Sequence, residues 1–181
     1  MKSIFSLLVA AAAVVAHTLP DLEARDDCGH SITPIYRMYN SKTFDHFYTT
    51  NAVETITAYA NDEYLLEGVA AGAFPTQQGN TLPLYRLYNS GKHDHFYTTN
   101  PVERDFFTTN NGYKWEGTLA LVYTTQICGS VPLYRLFAAS VTDHFYTTSE
   151  AERANALNLG FTDEGVVAYV PAKGVVTGMP V

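Results

Sequence analysis

The 181-residue chain carries 18 acidic against 11 basic residues, a formal net charge of −7. That balance excludes the basic footprint of a nucleic-acid-binding protein and would be repelled by anionic membrane surfaces. Thirteen Tyr and ten Phe at low total charge favour a β-rich fold packed with aromatic side chains.

The first sixteen residues, MKSIFSLLVAAAAVVA, place Lys2 before an apolar run that closes on the small triplet Val14-Val15-Ala16. This is the pattern of a secretory signal peptide, and the run is too short to span a bilayer as a helix. The expected mature protein is secreted and extracellular, with an N-terminal segment over 17–33 and a single domain over 34–181. TLPDLEARDD offers a second cleavage point around Arg25. Cys28 and Cys128 are the only cysteines. In a secreted chain such a pair reads as one disulfide, closing a loop of roughly 100 residues and adding ~4 kcal/mol through the unfolded state.

From residue 34 onward the sequence copies itself. PIYRMYN at 34, PLYRLYN at 83 and PLYRLFA at 132 each lead to DHFYTT, at 45, 94 and 143. We number the segments 34–82, 83–131 and 132–171 as the first, second and third units, and a fixed period of this size signals a repeat architecture. In each unit an aromatic strand, a polar connector and HFYTT form a hairpin pattern. A short helix follows. Asn51, Asn100 and Ser149 stand as N-cap residues with Glu54, Glu103 and Glu152 three positions on, and Pro101 falls at the first helical position. Asn61, Asn111-Gly112 and Gly160 are suited to end the helices. The segments around the EG pairs at 67, 116 and 164 then read as an extended piece, a Gly and another apolar run, the third and fourth strands. The predicted fold is mainly β with short helices. Three ββαββ repeats surround a pseudo-threefold axis in a β-trefoil-like barrel, with a small three-bladed propeller as the alternative. The tail PAKGVVTGMPV is expected to be loose or to supply a closing strand.

The succession P-[LIV]-Y-R-[LVM]-Y-N, D-H-[FHY]-Y-T-T, a Glu-containing helix start and G-[YFW]-x-x-E-G resembles a repeat family of unknown function found in secreted fungal and bacterial proteins. The resemblance covers nearly all of the mature chain and is fullest in the second unit. It implies an accessory binding role, since such repeats stand alone or beside hydrolases acting on walls or proteins, and it carries no catalytic residues. The third unit departs with Ala138 where Asn40 and Asn89 stand.

Neighbouring residues on a strand face opposite ways, so Asp45 is not expected to orient the ring of His46 for base catalysis. No G-x-S-x-G, H-E-x-x-H or C-x-x-C occurs, so an extracellular hydrolase is the minor reading and no enzyme activity is expected. His93 and His95 form an H-x-H in one unit alone. Convergence of the three motif histidines on one ion is a weaker alternative to the expectation of no metal and no cofactor. Arg37, Arg86 and Arg135 are expected to bridge Asp45, Asp94 and Asp143 across the hairpins as structural pairs. Glu54, Glu103 and Glu152 are read as structural helix caps. The candidates for ligand contact are His46, His95, His144, Tyr48, Tyr97 and Tyr146, together with Trp115, whose alternative place is in the core behind Glu116. The expected function is a non-catalytic, lectin-like binding module for carbohydrate or cell-wall polymer. A secreted protein-interaction factor, an effector or protease inhibitor contacting its partner through residues 75–82 or 126–131, is the alternative. Neither nucleic acid nor membrane is an expected partner.

Overall fold

The computed structural model describes residues 30–172. The expected signal peptide, Cys28, most of the N-terminal segment and most of the C-terminal tail lie outside the described residues. The protein is mainly β, with three short helices and a curled half-barrel sheet. Each unit contributes two hairpin strands, a helix and one long strand. The first comprises β1 (Thr33–Asn40), β2 (Asp45–Thr49), α1 (Ala52–Asp62) and β3 (Leu65–Ala73). The second comprises β4 (Thr81–Asn89), β5 (Asp94–Thr98), α2 (Pro101–Asn110) and β6 (Lys114–Tyr123). The third comprises β7 (Val131–Ala138), β8 (Asp143–Thr147), α3 (Glu150–Asn158) and β9 (Thr162–Val170). All named strand pairs are antiparallel, in the orders β2-β1-β3 and β5-β4-β6-β9-β7-β8. The smaller sheet meets the larger where Phe74 bridges Leu121 and where the amide of Gly72 donates to the carbonyl of Pro171 at 2.8 Å.

The expected fourth strand of each unit does not form. Gly68, Gly117 and Gly165 were read as breaks, but each takes a positive φ (118°, 115° and 88°) inside a continuous strand. There the pairing register shifts, so glycine supplies a bulge and a bend where the sequence suggested a turn. One strand thus crosses from the exposed helix end to the core. In β3, Leu65 and Leu66 are exposed while Ala71 and Ala73 are fully buried.

The helices begin as expected. The Asn51 side chain accepts from the amides of Val53 and Glu54, Asn100 does the same for Val102 and Glu103, and Ser149 accepts from Glu152. The reciprocal half of the capping box is replaced. The amide of Asn51 donates to Thr49 Oγ1 at 3.0 Å, and the Glu54 carboxylate turns to the Thr49 hydroxyl and to Arg86. α1 runs past Asn61 and closes on Glu63 in the left-handed region, with φ 62°. Asn40 ties this end to the hairpin: its Nδ2 donates to the carbonyl of Asp62 at 2.6 Å, and its Oδ1 accepts from Lys42 N. Asn89 repeats the arrangement with Asn111 and Gly91. Ala138 has no side-chain amide to do so, and the third hairpin turn is held by the Val141 amide on the Ala138 carbonyl.

Candidate functional site

The strands carrying DHFYTT meet in the core. Tyr48, Tyr97 and Tyr146 are almost wholly buried and pack edge to face, with centroids 5.2–5.5 Å apart. Each hydroxyl both donates to a backbone carbonyl and accepts from a backbone amide of another unit. Tyr97 Oη serves Tyr48, Tyr146 Oη serves Tyr97, and Tyr48 Oη serves Tyr146, at 2.7–2.9 Å. Burial raises all three phenols well above their usual pKa. These tyrosines, expected as ligand contacts, therefore cannot meet a ligand: their rings fill the core and their hydroxyls complete the backbone of a neighbouring unit.

Asp and His of the motif do not orient each other, as strand geometry required. Each pairs with another unit instead. Asp45 Oδ2 lies 2.6 Å from His95 Nδ1, Asp94 Oδ2 2.7 Å from His144 Nδ1, and Asp143 Oδ2 2.7 Å from His46 Nδ1. The second carboxylate oxygen accepts from the amide of the same histidine. The three carboxylates converge, each offering one oxygen within 4.8 Å of the others. Among the described residues this is the group whose geometry comes closest to a cation site, and it is made of Asp, whereas the sequence pointed to His. Those oxygens are already engaged by imidazole and amide.

The Tyr64 and Tyr113 hydroxyls donate to Asp45 and Asp94, while Phe161 stands at the matching place in the third unit and gives Asp143 no such bond. The carboxyls respond accordingly. For Asp45 burial favours the neutral form, but His95 and the Tyr64 hydroxyl outweigh it and hold the pKa below the usual carboxylate value. For Asp143 burial outweighs His46 and the pKa is raised. Ionised Asp143 therefore opposes folding at neutral pH, a penalty that lifts as pH falls through its folded value towards ~3.9. Phe161→Tyr is expected to stabilise the protein by about 1.5 kcal/mol at neutral pH through one charge-assisted bond, with the gain shrinking on acidification. Urea denaturation of both proteins at neutral pH and at pH ~4 checks this; no gain at neutral pH, or the same gain at both, would count against it.

The arginines do not pair with these aspartates. Register sets Arg37 opposite Tyr48 and Asp45 opposite Asn40, so the expected cross-hairpin bridge is out of reach. Arg37 instead forks onto Glu152, Arg86 onto Glu54 and Arg135 onto Glu103, each with two bonds of 2.9–3.1 Å. Their Nε atoms face Glu67, Glu116 and Glu164 at 2.7–2.9 Å. Each guanidinium also lies over a motif phenyl, Phe145, Phe47 or Phe96, at 4.8–5.2 Å. Glu54 and Glu103, read as caps, are thus ties between units. Burial favours their neutral form, but the arginine bonds win and depress both pKa values.

Between the first and second units these contacts line a cleft of about 560 Å3. Phe47, Glu54, Ala58, Asp62, Glu63 and Tyr64 form one wall, with Asn40, Lys42 and Thr43 from the hairpin; Arg86, Tyr88, His93, His95 and Glu116 form the other. The size suits a small-molecule site. The half-buried Tyr88 stacks on His95 at 4.3 Å, and His95 Nε2 lies 4.0 Å from Glu116 Oε2. The carboxylates of Glu54 and Glu116 share Arg86. Glu54, held ionised by that guanidinium, is a poor general acid at neutral pH.

Of the proposed ligand contacts, His95 alone reaches this cleft. All three rings are largely enclosed: His95 and His144 are buried, and His46 is slightly more exposed than His95. Trp115 is not in the core behind Glu116: it is 53% exposed, its indole donating to the Gly117 carbonyl at 2.9 Å. Arg104 lies over Trp115 and Tyr85 at 4.8 and 4.6 Å. In the third unit Asp163 takes the tryptophan's place and pairs with Arg153. Trp115 therefore marks a surface separate from the cleft. Sequence reasoning missed Tyr88, Ala58 and Tyr64. The recurring aromatic at 39, 88 and 137 was a signal for the first, whereas alanine at 58 offered none. Cys128 is disulfide-bonded; its expected partner Cys28 lies outside the described residues.

No curated protein and no solved structure matches the chain. A family model described as "Domain of unknown function (DUF5648)" matches residues 34–171, which takes in all three hairpins and helices, the Asp–His and Arg–Glu contacts and the cleft. The chain belongs to that family.

Proposed function

We propose that this protein is a secreted, non-catalytic binding module that takes a neutral or amino-bearing saccharide of a cell-wall polymer in the cleft between its first and second units. The three units are read as copies around a pseudo-threefold axis, and the contacts that recur at a spacing of 49 residues support that arrangement. The cleft carries the functional reading. It combines the half-buried ring of Tyr88 and the largely buried rings of Phe47 and Tyr64 with a rim of groups that hydrogen-bond hydroxyls. Its charge sets the ligand's sign. Four carboxylates, Glu54, Asp62, Glu63 and Glu116, face two cations, Lys42 and Arg86, and both cations are already paired. A polyuronate or sulfated glycan would add like charge to this surface and is expected to be rejected.

The test is a glycan array with polysaccharide pull-down, using neutral, amino and anionic polymers. Binding to members of the first two classes and not the third is expected, with Tyr88→Ala weakening it roughly 30-fold, equivalent to ~2 kcal/mol. Absence of binding to every glycan and wall fraction would end the reading. The exposed apolar side chains of Val53, Ile56 and Tyr59 on α1 favour a second reading, a protein-interaction factor. In that case affinity capture returns a defined partner whose binding is lost on Ile56→Glu.

A further inference from the structure

We infer that the chain has one saccharide site, at the boundary of the first and second units, because the corresponding space at the next boundary is filled by Phe107. This rests on the saccharide reading and adds what selects among the boundaries. Counted from the inter-unit glutamates Glu54, Glu103 and Glu152, the fourth residue on is Ala58, Phe107 and Ala156. In the first unit Ala58 and the motif phenyl Phe47 both line the open cleft. In the second unit the ring of Phe107 lies flat on the matching phenyl, Phe96, with centroids 3.9 Å apart and planes 5° from parallel. The same ring packs edge-on against Tyr113 at 5.2 Å and reaches His144 at 6.3 Å. Tyr113 and His144 are the counterparts of Tyr64 and His95, which line the open cleft. One side chain thus occupies the floor of the second cleft and covers the three aromatic groups that a ligand would meet.

The rims differ in the same sense. Tyr88 and His93 at the open cleft give way to Phe137 and Thr142 at the next boundary, removing a hydroxyl and an imidazole. At the boundary of the third and first units residue 156 is alanine, but Phe44 and Phe161 stand in the places of His93 and Tyr64. Tyr39 keeps the place of Tyr88 there, but Phe44 replaces the imidazole that would bond a sugar hydroxyl, and a polar ligand finds its full set of partners at one boundary.

The test compares the full-length mature protein with Ala58→Phe and Phe107→Ala by calorimetric titration with chitotetraose and cellotetraose. Expected is one equivalent bound by the wild type, a loss of more than tenfold in affinity for Ala58→Phe, and no loss for Phe107→Ala. Two or more equivalents in the wild type, or unchanged affinity in Ala58→Phe, would overturn the inference. If the wild type binds neither sugar, these ligands fail while the selection by residues 58 and 107 is judged separately, on crystals of the three proteins soaked in isopropanol. The solvent is then expected in the first cleft of the wild type, absent from it in Ala58→Phe, and present at the second boundary in Phe107→Ala. Isopropanol at the second boundary of the wild type, or none in its first cleft, would refute that selection. Thermal melting accompanies both arms. Phe107 shows that a phenyl fits this helix position, so Ala58→Phe is expected to keep the wild-type melting temperature or exceed it.

Discussion

Tyr97→Phe is expected to lower the unfolding free energy by about 2–4 kcal/mol, although it removes a single oxygen atom. The ring would still fill its place beside Tyr48 and Tyr146. What is lost is the hydroxyl that donates to the Tyr48 carbonyl and accepts from the Tyr48 amide, and both of those groups are buried where water does not replace it. A buried donor or acceptor left unpaired costs about 1–2 kcal/mol in the lower part of its usual span, and two such groups set the range. Tyr59→Phe, on the exposed face of α1, serves as the control and is expected to change stability by less than ~0.5 kcal/mol. Urea denaturation of the two variants decides the matter. A loss below ~1 kcal/mol for Tyr97→Phe would mean that backbone pairing, without the phenols, holds the central strands together.

Asp45→Ala is expected to cost still more, about 3–5 kcal/mol, because one carboxylate serves the imidazole and amide of His95 and the hydroxyl of Tyr64. The variant also changes the response to acid, and the sign follows from the depressed pKa. A carboxyl whose folded value lies below its unfolded one contributes stability above ~3.9, and that contribution is lost as pH falls towards the folded value. Glu54 and Glu103 act in the same direction, while Asp143 acts against them. The wild type is therefore expected to lose stability on acidification through the carboxylate range, and Asp45→Ala to follow a shallower line from a lower starting point. Parallel profiles for the two proteins would show that Asp45 acts through packing alone.

Much of each unit was legible because its signals are local. A hairpin, an N-cap and a helix start depend on residues two to four positions apart, and there Asn51, Asn100, Ser149 and Pro101 behave as their chemistry dictates. The glycines of the EG pairs were misread because a bulge and a turn ask for the same backbone freedom. The site was harder for a different reason. The first threonine and the Tyr64 and Tyr113 bonds to aspartate aside, the Asp–His pairs and the forked Arg–Glu pairs join different units, 32 residues apart for Arg86 and Glu54, 50 for His95 and Asp45, and 115 for Arg37 and Glu152. Spacing within a unit says nothing of such pairs, so Asp seemed to belong to Arg and His seemed unassigned. Exchanging partners between copies explains every letter of DHFYTT. Asp and His join different units, Phe lies beneath a foreign arginine, and Tyr completes a foreign backbone. The first Thr holds the helix glutamate, and the second reaches a carbonyl of the next unit, Thr50 to Leu119. The cleft depends on a difference between copies, the small residue at 58 against the large one at 107, and only three-dimensional placement reveals its effect.

The exchange of partners also bears on how the chain reaches its native state during synthesis. His46 emerges 97 residues before the Asp143 that holds it, and Arg37 emerges 115 residues before Glu152. Nascent protein thus carries unmatched polar groups until the last hairpin and helix arrive, and closure is a late event dominated by distant contacts, the kind that slows folding. A product truncated after the second unit would leave His46 without Asp143, the Tyr48 hydroxyl without Tyr146 and Arg37 without its fork onto Glu152 at one margin, and Asp94 without His144 and Glu103 without Arg135 at the other. The working length of this protein is accordingly all-or-none: two-thirds of the sequence does not make two-thirds of a molecule.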